Sequence, residues 1–111
     1  SFWVLTATTK EGELAPDIQM AAQSTATVVL LMGVRKIEAI AALFSQFRDG
    51  STPIAIIQNA TLDNQHTVVD QLSGVGGRLG EIDIQAPGIV VIGEVVRLAE
   101  LNCVQLMEQA K

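Results

Sequence analysis

The stretch TVVLLMGVRKIEAIAALFSQFRDGSTPIAIIQ, residues 27–58, decides the fold class. It opens on TVVLLM (27–32), a continuous apolar run closed by Gly33. Continuity without alternation predicts a strand buried on both faces of an α/β sheet. From residue 34 to 47 the period changes: Ile37, Ile40, Ala41, Phe44 and Phe47 recur at steps of three and four, one helical stripe. Arg35, Lys36, Glu38 and Gln46 fall on the wet side. Asp49-Gly50-Ser51 ends the helix, and PIAIIQ (53–58) reads as a second buried strand. Strand, helix and strand in that order predict a parallel βαβ unit with a right-handed crossover.

Outward from that unit the signals weaken. On the N-terminal side, SFWVLTAT (1–8) suits an edge or linking strand, residues 10–13 place Gly12 among charges as a turn, and PDIQMAAQS (16–24) starts a short helix with Ile18, Ala21 and Ala22 inward. On the C-terminal side, HTVVDQL (66–72) reads as a third strand near an edge, with a helix as the alternative. SGVGGRLGEI (73–82) carries four glycines, each costing a helix about 1 kcal/mol relative to Ala, yet Leu72, Val75, Leu79 and Ile82 keep a helical spacing. A short, glycine-loosened helix is expected there. Pro87-Gly88 then starts IVVI (89–92), ended by Gly93, and the apolar residues from Val95 to Met107 predict a turn and a C-terminal helix. The whole predicts one α/β domain, three-layer-like, with a mixed, mostly parallel sheet flanked by helices.

The composition excludes several classes. The chain has 111 residues, 49% of them hydrophobic and 17% charged, enough for one packed core. A formal net charge of -5 offers no footprint for nucleic acid or an anionic membrane. Cys103 is the single cysteine, so no internal disulfide framework exists. No apolar run reaches the roughly 18 residues that span a bilayer, and no signal peptide is readable, so a cytoplasmic location is expected. The chain begins at Ser1, which points to a processed protein or to a piece of a longer one.

Equipment for catalysis is sparse. His66 is the only histidine, and CxxC, HExxH, GxSxG and GxGxxG are all absent. Ser73-Gly74-Val75-Gly76-Gly77 imitates a phosphate loop but lacks the following Lys-Ser or Lys-Thr. Packing accounts for Cys103 and a polar strand edge for His66, so no catalytic residue and no metal ligand is assigned. The informative feature is the set of small-residue strand ends: Met32-Gly33, Ala60-Thr61 and Gly93-Glu94. In open α/β sheets ligands sit outside the carboxyl ends of strands, where small residues let a flat ligand reach the backbone. The alternative is that Gly33 and Gly93 merely permit tight turns and that Met32 belongs to the core.

TVVLLMG (27–33), PIAIIQNATLDNQHTVV (53–69) with Leu72, and PGIVVIGEVVRL (87–98) together resemble the C-terminal domain of the S-adenosylmethionine-dependent tetrapyrrole methylases. Within that family the likeness is to the uroporphyrinogen-III C-methyltransferases, and it extends over residues 5–98. The resemblance implies the second domain of a two-domain fold spanning residues 1–111, with 1–14 as the interdomain strand and linker and the N-terminal domain absent. It implies S-adenosylmethionine or S-adenosylhomocysteine held in a cleft shared with that domain. Met32 and Gly33 would line the pocket, Ala60 and Thr61 would meet the adenosyl end, and Gly93 and Val95 would close the adenine side. The implied reaction of the complete enzyme is C-methylation of uroporphyrinogen III to precorrin-2, on the route to sirohaem and cobalamin, with the fragment alone inactive. A homodimer is implied as well.

Two departures qualify the likeness. Relatives carry Thr-Gly-His where this chain reads Leu5-Thr6-Ala7-Thr8, and residues 73–82 are richer in glycine than the usual helix. A later precorrin methylase would keep the fold and cofactor but change the substrate trough, while ribosomal RNA methylases are disfavoured by the acidic balance. A structural or dimerisation module without binding is the alternative of another class. An acidic chain steers a polycarboxylated macrocycle poorly, so local cations would have to come from Arg35, Lys36 or Arg97, or from the absent domain. A domain parted from its partner should also expose an apolar patch. For the binding reading to hold, the ends at Met32, Ala60 and Gly93 must converge on one concave surface.

Overall fold

Pro16 presets the first turn of a helix and Asp17 sits favourably at its positive end, so a helix starts where the sequence places it. In the computed structural model, which describes residues 2–58, 65–94 and 96, this helix is α1 (Asp17–Gln23) and the amphipathic one is α2 (Ile37–Ser45). The strands are β1 (Phe2–Thr6), β2 (Thr27–Leu31), β3 (Pro53–Gln58), β4 (His66–Gln71) and β5 (Gly88–Ile92). A 3-10 turn at Val34–Lys36 leads into α2, and a longer one occupies Val75–Glu81. The glycine-loosened segment thus folds as 3-10 rather than α-helix.

The five strands lie in the order β1-β2-β5-β3-β4. β1 and β2 are parallel; β2 with β5, β5 with β3, and β3 with β4 are antiparallel. The sheet is mixed, as expected, but mostly antiparallel, which corrects the expectation of a mostly parallel one. β2 and β3 do run the same way, as a crossover through α2 requires, yet β5 returns between them. The physical reason is that a continuous apolar run reports burial on both faces and not direction. β2, β5 and β3 are the three inner strands, and inner strands look alike whichever way they run. β1 and β4 take the two edges, as their weaker patterns indicate.

One sheet face meets the helices. Leu5, Leu30, Val90, Ile56 and Val68 stand side by side in register across all five strands on that face. Ile18, Ala21 and Ala22 of α1 and Ile37, Ile40, Ala41 and Phe44 of α2 close over it in a single cluster. Phe47, expected in this stripe, is 43% exposed because α2 has ended at Ser45. Arg48 ties the layer together. Its guanidinium donates to the carbonyls of Ala21 (2.9 Å) and Ala26 (2.8 Å) and lies 5.2 Å from the Phe44 ring centroid. Burial lowers the Arg48 pKa; the group nevertheless stays charged, since arginine titrates far above neutrality.

The other face carries Phe2, Val4 and Leu31, exposed by 63%, 62% and 39%, beside Val29, Val91 and Ile57. Among the described residues the helices cover only the first face, so two layers stand where a three-layer arrangement was expected. The expected C-terminal helix lies outside the described residues, as do Ala60, Thr61, Val95, Arg97 and Cys103. Among the described residues no helix is long and apolar enough to cross a membrane.

Candidate functional site

Strand direction decides which sequence-predicted residues can meet. β1, β2 and β3 finish at one end of the sheet, whereas β5 finishes at the other. Met32 and Gly33 therefore emerge beside the start of β5 at Pro87 and Gly88. Gly93 emerges at the opposite end, against Thr27 and Pro53. Its amide donates to the Pro53 carbonyl at 3.0 Å. A β2 strand of five residues at about 3.3 Å each separates the two ends by roughly 16 Å. The structure does not bring Gly93 to Met32, so the three ends do not converge on one surface and a binding reading can rest only on the Met32 end. Gly93 has its own reason for being glycine: its φ is +144°, and a Cβ there would stand 3.0 Å from the Thr27 Cα.

At the Met32 end an open cleft of about 620 Å3 lies between the Val34–Lys36 turn and residues 84–88, with Thr8 and Gly12 at its far side. Met32 is 69% exposed on this cleft and has a φ of 61°. A non-glycine residue in the left-handed region costs about 1–2 kcal/mol, and strain of this kind concentrates at ligand clamps and active sites. The cause is the next residue. A Cβ on Gly33 would stand 3.1 Å from both Ala7 Cβ and Ile40 Cδ1, so the backbone passes tightly between β1 and α2 and turns the Met32 side chain outward. Met32 is thus not a core residue.

The opposite wall is pinned by a residue that the sequence reading passed over. Gln58, the last residue of β3, is 2% exposed. Its Nε2 donates to the Asp83 carbonyl at 2.6 Å, and the Asp83 amide donates to its Oε1 at 3.1 Å. Gly88 completes the pin, since a Cβ there would lie 2.9 Å from the Ile57 carbonyl oxygen. Arg35 then reaches across the cleft, its Nη2 donating to Gln85 Oε1 at 2.9 Å. A lone glutamine ending an otherwise apolar strand was the available signal for this arrangement.

The remaining polar candidates serve the fold. His66 Nε2 lies 2.8 Å from the Glu81 carbonyl oxygen, fastening edge strand β4 to the Val75–Glu81 turn. Arg78 pairs with Glu81 and, at 3.3 Å, with Asp70. The Arg78 hydrogen bond holds the Glu81 carboxyl below the usual carboxylate range. The glycine run that imitates a phosphate loop lies in this region, away from the cleft. Among the described residues no cluster of three or more His, Cys, Asp or Glu side chains could hold a metal. The cleft lining offers apolar surface from Met32, Val34, Ile84 and Pro87, and two cations, Arg35 and Lys36. No carboxylate, histidine or cysteine joins them among the described residues. Such a surface suits a flat, partly apolar ligand with negative groups, and supplies no acid–base pair.

Comparison with known proteins places the chain in a family. The family model of the Tetrapyrrole (Corrin/Porphyrin) Methylases matches residues 2–75. The sirohaem synthase of Stutzerimonas stutzeri is 36% identical over 75 residues, covering 67% of this chain and 16% of that protein. The uroporphyrinogen-III C-methyltransferase of Methanocaldococcus jannaschii is 28% identical over 102 residues, covering 90% of this chain and 42% of that protein. Among solved structures, the uroporphyrin-III C-methyltransferase of Thermus thermophilus complexed with S-adenosylhomocysteine superposes with a TM-score of 0.73 at 27% identity. That match covers 88% of this chain and 43% of the other. The chain therefore spans less than half the length of each of these relatives.

Proposed function

The chain belongs to the tetrapyrrole methylase family, and from that premise we propose that it is the C-terminal domain of an S-adenosylmethionine-dependent C-methyltransferase acting on uroporphyrinogen III. The observation that carries the proposal is Met32, a strained and exposed thioether side chain at the mouth of a cleft where β2 ends. The residues there fit the cofactor in kind. Met32, Val34 and Pro87 offer polarizable and apolar surface to an adenosyl group, and the left-handed turn at Met32 opens the backbone beside Gly33. Ala60 and Thr61, which follow β3 in sequence, belong to this proposal, since β3 and β2 finish at the same end of the sheet. Gly93 does not, because β5 carries it to the far end, and Val95 lies outside the described residues.

S-adenosylmethionine supplies a methyl group already activated by its sulfonium charge. What remains for the protein is to hold donor and acceptor in line and to exclude water, a proximity effect that needs no acid–base pair in this domain. The cleft is open because it is half a site. The reading includes an N-terminal domain that closes it, precorrin-2 as product, a homodimeric and cytoplasmic enzyme, and no turnover by this chain alone.

Calorimetric titration with S-adenosylhomocysteine tests the reading. A longer form carrying the N-terminal domain should bind it, this chain weakly or not at all. In the longer form Met32→Ala should weaken binding about five- to tenfold, the equivalent of partly uncovering one methionine side chain. Absence of binding by a folded longer form, or indifference to Met32→Ala, overturns it.

A further inference from the structure

We propose that Arg35 and Lys36 form a carboxylate-binding lip on the Met32 cleft, receiving the acidic peripheral groups of a polycarboxylated macrocycle. The inference rests on the proposed function and names how this domain contacts the substrate of that same site. Three observations converge on it. The chain is acidic overall, with a formal charge of -5, yet among the described residues this cleft is lined by two cations and by no carboxylate. Of the other described cations, Arg48 is bound by the carbonyls of Ala21 and Ala26, Arg78 by Asp70 and Glu81, and Lys10 lies outside the cleft lining. Positive charge without a carboxylate partner is thus concentrated where the substrate must enter, the arrangement that focuses an anion toward a cleft.

The second observation is that these cations sit at the end of α2 that disfavours positive charge. Arg35 and Lys36 sit on the turn Val34–Lys36 immediately before the first residue of α2, at the positive end of its dipole, where an acidic residue would be favoured. They also repel one another as sequence neighbours. Glu38 answers the helix dipole in the first turn of α2, and an anionic ligand would answer the adjacent Arg35 and Lys36 charges themselves.

Third, the Arg35 guanidinium is already placed. Its bond to Gln85 Oε1 at 2.9 Å holds it across the cleft between the two walls. A guanidinium presents five N–H donors, so one neutral acceptor leaves a forked face for a carboxylate. Gln85 is in turn steadied by its own backbone amide, which donates to Asp83 Oδ1 at 3.0 Å, next to the Gln58 pin. The lip is built on fixed elements and not on a loose loop.

The test uses fluorescence anisotropy of uroporphyrin III, an octacarboxylate, and of deuteroporphyrin, a dicarboxylate, titrated with the full chain at low salt and at about 0.3 M salt. Each exposed cation–carboxylate contact is worth about two- to fivefold in affinity. The double variant Arg35→Gln/Lys36→Gln should therefore bind uroporphyrin about tenfold more weakly at low salt, with a smaller loss at high salt. Arg35→Lys/Lys36→Arg should restore most of the affinity. Lys10→Gln, which makes the same charge change outside the cleft lining, should leave binding within twofold. Deuteroporphyrin should lose less than uroporphyrin. No uroporphyrin binding by the parent chain, a double variant within twofold of the parent, or an equal loss in Lys10→Gln overturns the lip. Calorimetry with S-adenosylhomocysteine on the longer form separates the two readings. Retained cofactor binding with no effect of the double variant on uroporphyrin removes the lip alone. Loss of cofactor binding with the uroporphyrin effect intact removes the methylase reading and leaves a carboxylate site.

Discussion

Replacing Gly93 with alanine should cost stability and leave cofactor binding untouched. Two penalties add at this position. The φ of +144° lies in a region that only glycine occupies freely, worth about 1–3 kcal/mol to any other residue. The added Cβ would stand 2.7 Å from Thr27 Oγ1 and 3.0 Å from its Cα, and overpacking of this kind costs about 1–3 kcal/mol more. Together they remove roughly 2–6 kcal/mol from a domain whose total stability is about 5–15 kcal/mol. At about 4 °C for each kcal/mol, the melting temperature falls by roughly 8–24 °C. Urea unfolding followed by the fluorescence of Trp3, the only tryptophan, measures this directly. Gly76→Ala is the matched control: a Cβ there meets nothing within 4 Å, so its unfolding should coincide with the parent or shift slightly upward. In the longer form, below its melting temperature, Gly93→Ala should bind S-adenosylhomocysteine as the parent does, because the Met32 cleft lies at the far end of the sheet. Parental stability in Gly93→Ala would falsify the strain argument. A folded Gly93→Ala that loses the cofactor while Met32→Ala keeps it would reverse the placement of the site.

Three further outcomes are expected. Arg48→Met removes the donors to the Ala21 and Ala26 carbonyls and should destabilise the chain by roughly 2–4 kcal/mol in thermal unfolding. Gln58→Leu strips both bonds from the Asp83 backbone, costing about 1–3 kcal/mol, and hydrogen exchange should show the Asp83 amide losing protection selectively. The third concerns pH. Glu81 is held below its ordinary pKa by the Arg78 hydrogen bond, so the unfolded state takes up its proton first as pH falls. Its contribution is complete above the unfolded value and is lost as pH drops through the folded one. The stability gap between parent and Glu81→Gln should accordingly be present near pH 6 and close toward about pH 3.

Much of the fold was legible because it rests on periodicity. The stripe Ile37, Ile40, Ala41 and Phe44 buries as its spacing requires, and Ile18, Ala21 and Ala22 likewise. Phe47 continues the same arithmetic but is exposed, since periodicity does not say where the helix stops. The hydrogen bonds that end α2, including the Arg48 amide to the Phe44 carbonyl at 2.8 Å, are a tertiary choice tied to the Arg48 clamp. The 3-10 form of Val75–Glu81 follows from its glycines together with a side-chain contact invisible in sequence, Arg78 with Asp70. Gln58 was missed because a buried amide is recognisable only once the backbone it serves, at Asp83, has been placed.

The candidate site turned on a quantity that apolar patterning does not encode. IVVI between Pro87-Gly88 and Gly93 reads the same in either direction, and a parallel β5 would have delivered Gly93 beside Met32. With β5 antiparallel to its neighbours it is Gly88, at the start of the strand, that reaches the cleft, and Gly93 that leaves it. Glycine after a strand was therefore an ambiguous signal. Gly33 is required by Ala7 and Ile40, Gly88 by the Ile57 carbonyl, and Gly93 by Thr27, all packing demands within the chain. The residue facing a ligand is the one that those demands displace. Gly33 threads the gap between β1 and α2, and Met32 is turned out into the left-handed region with its side chain in the cleft. A Gly33→Ala change should therefore cost stability and move Met32 together, whereas Met32→Ala should spare stability and cost affinity. Observing both losses in the first variant and only the second loss in the other would tie the strain at Met32 to binding. Full cofactor affinity in a folded Gly33→Ala would show that the outward turn is incidental.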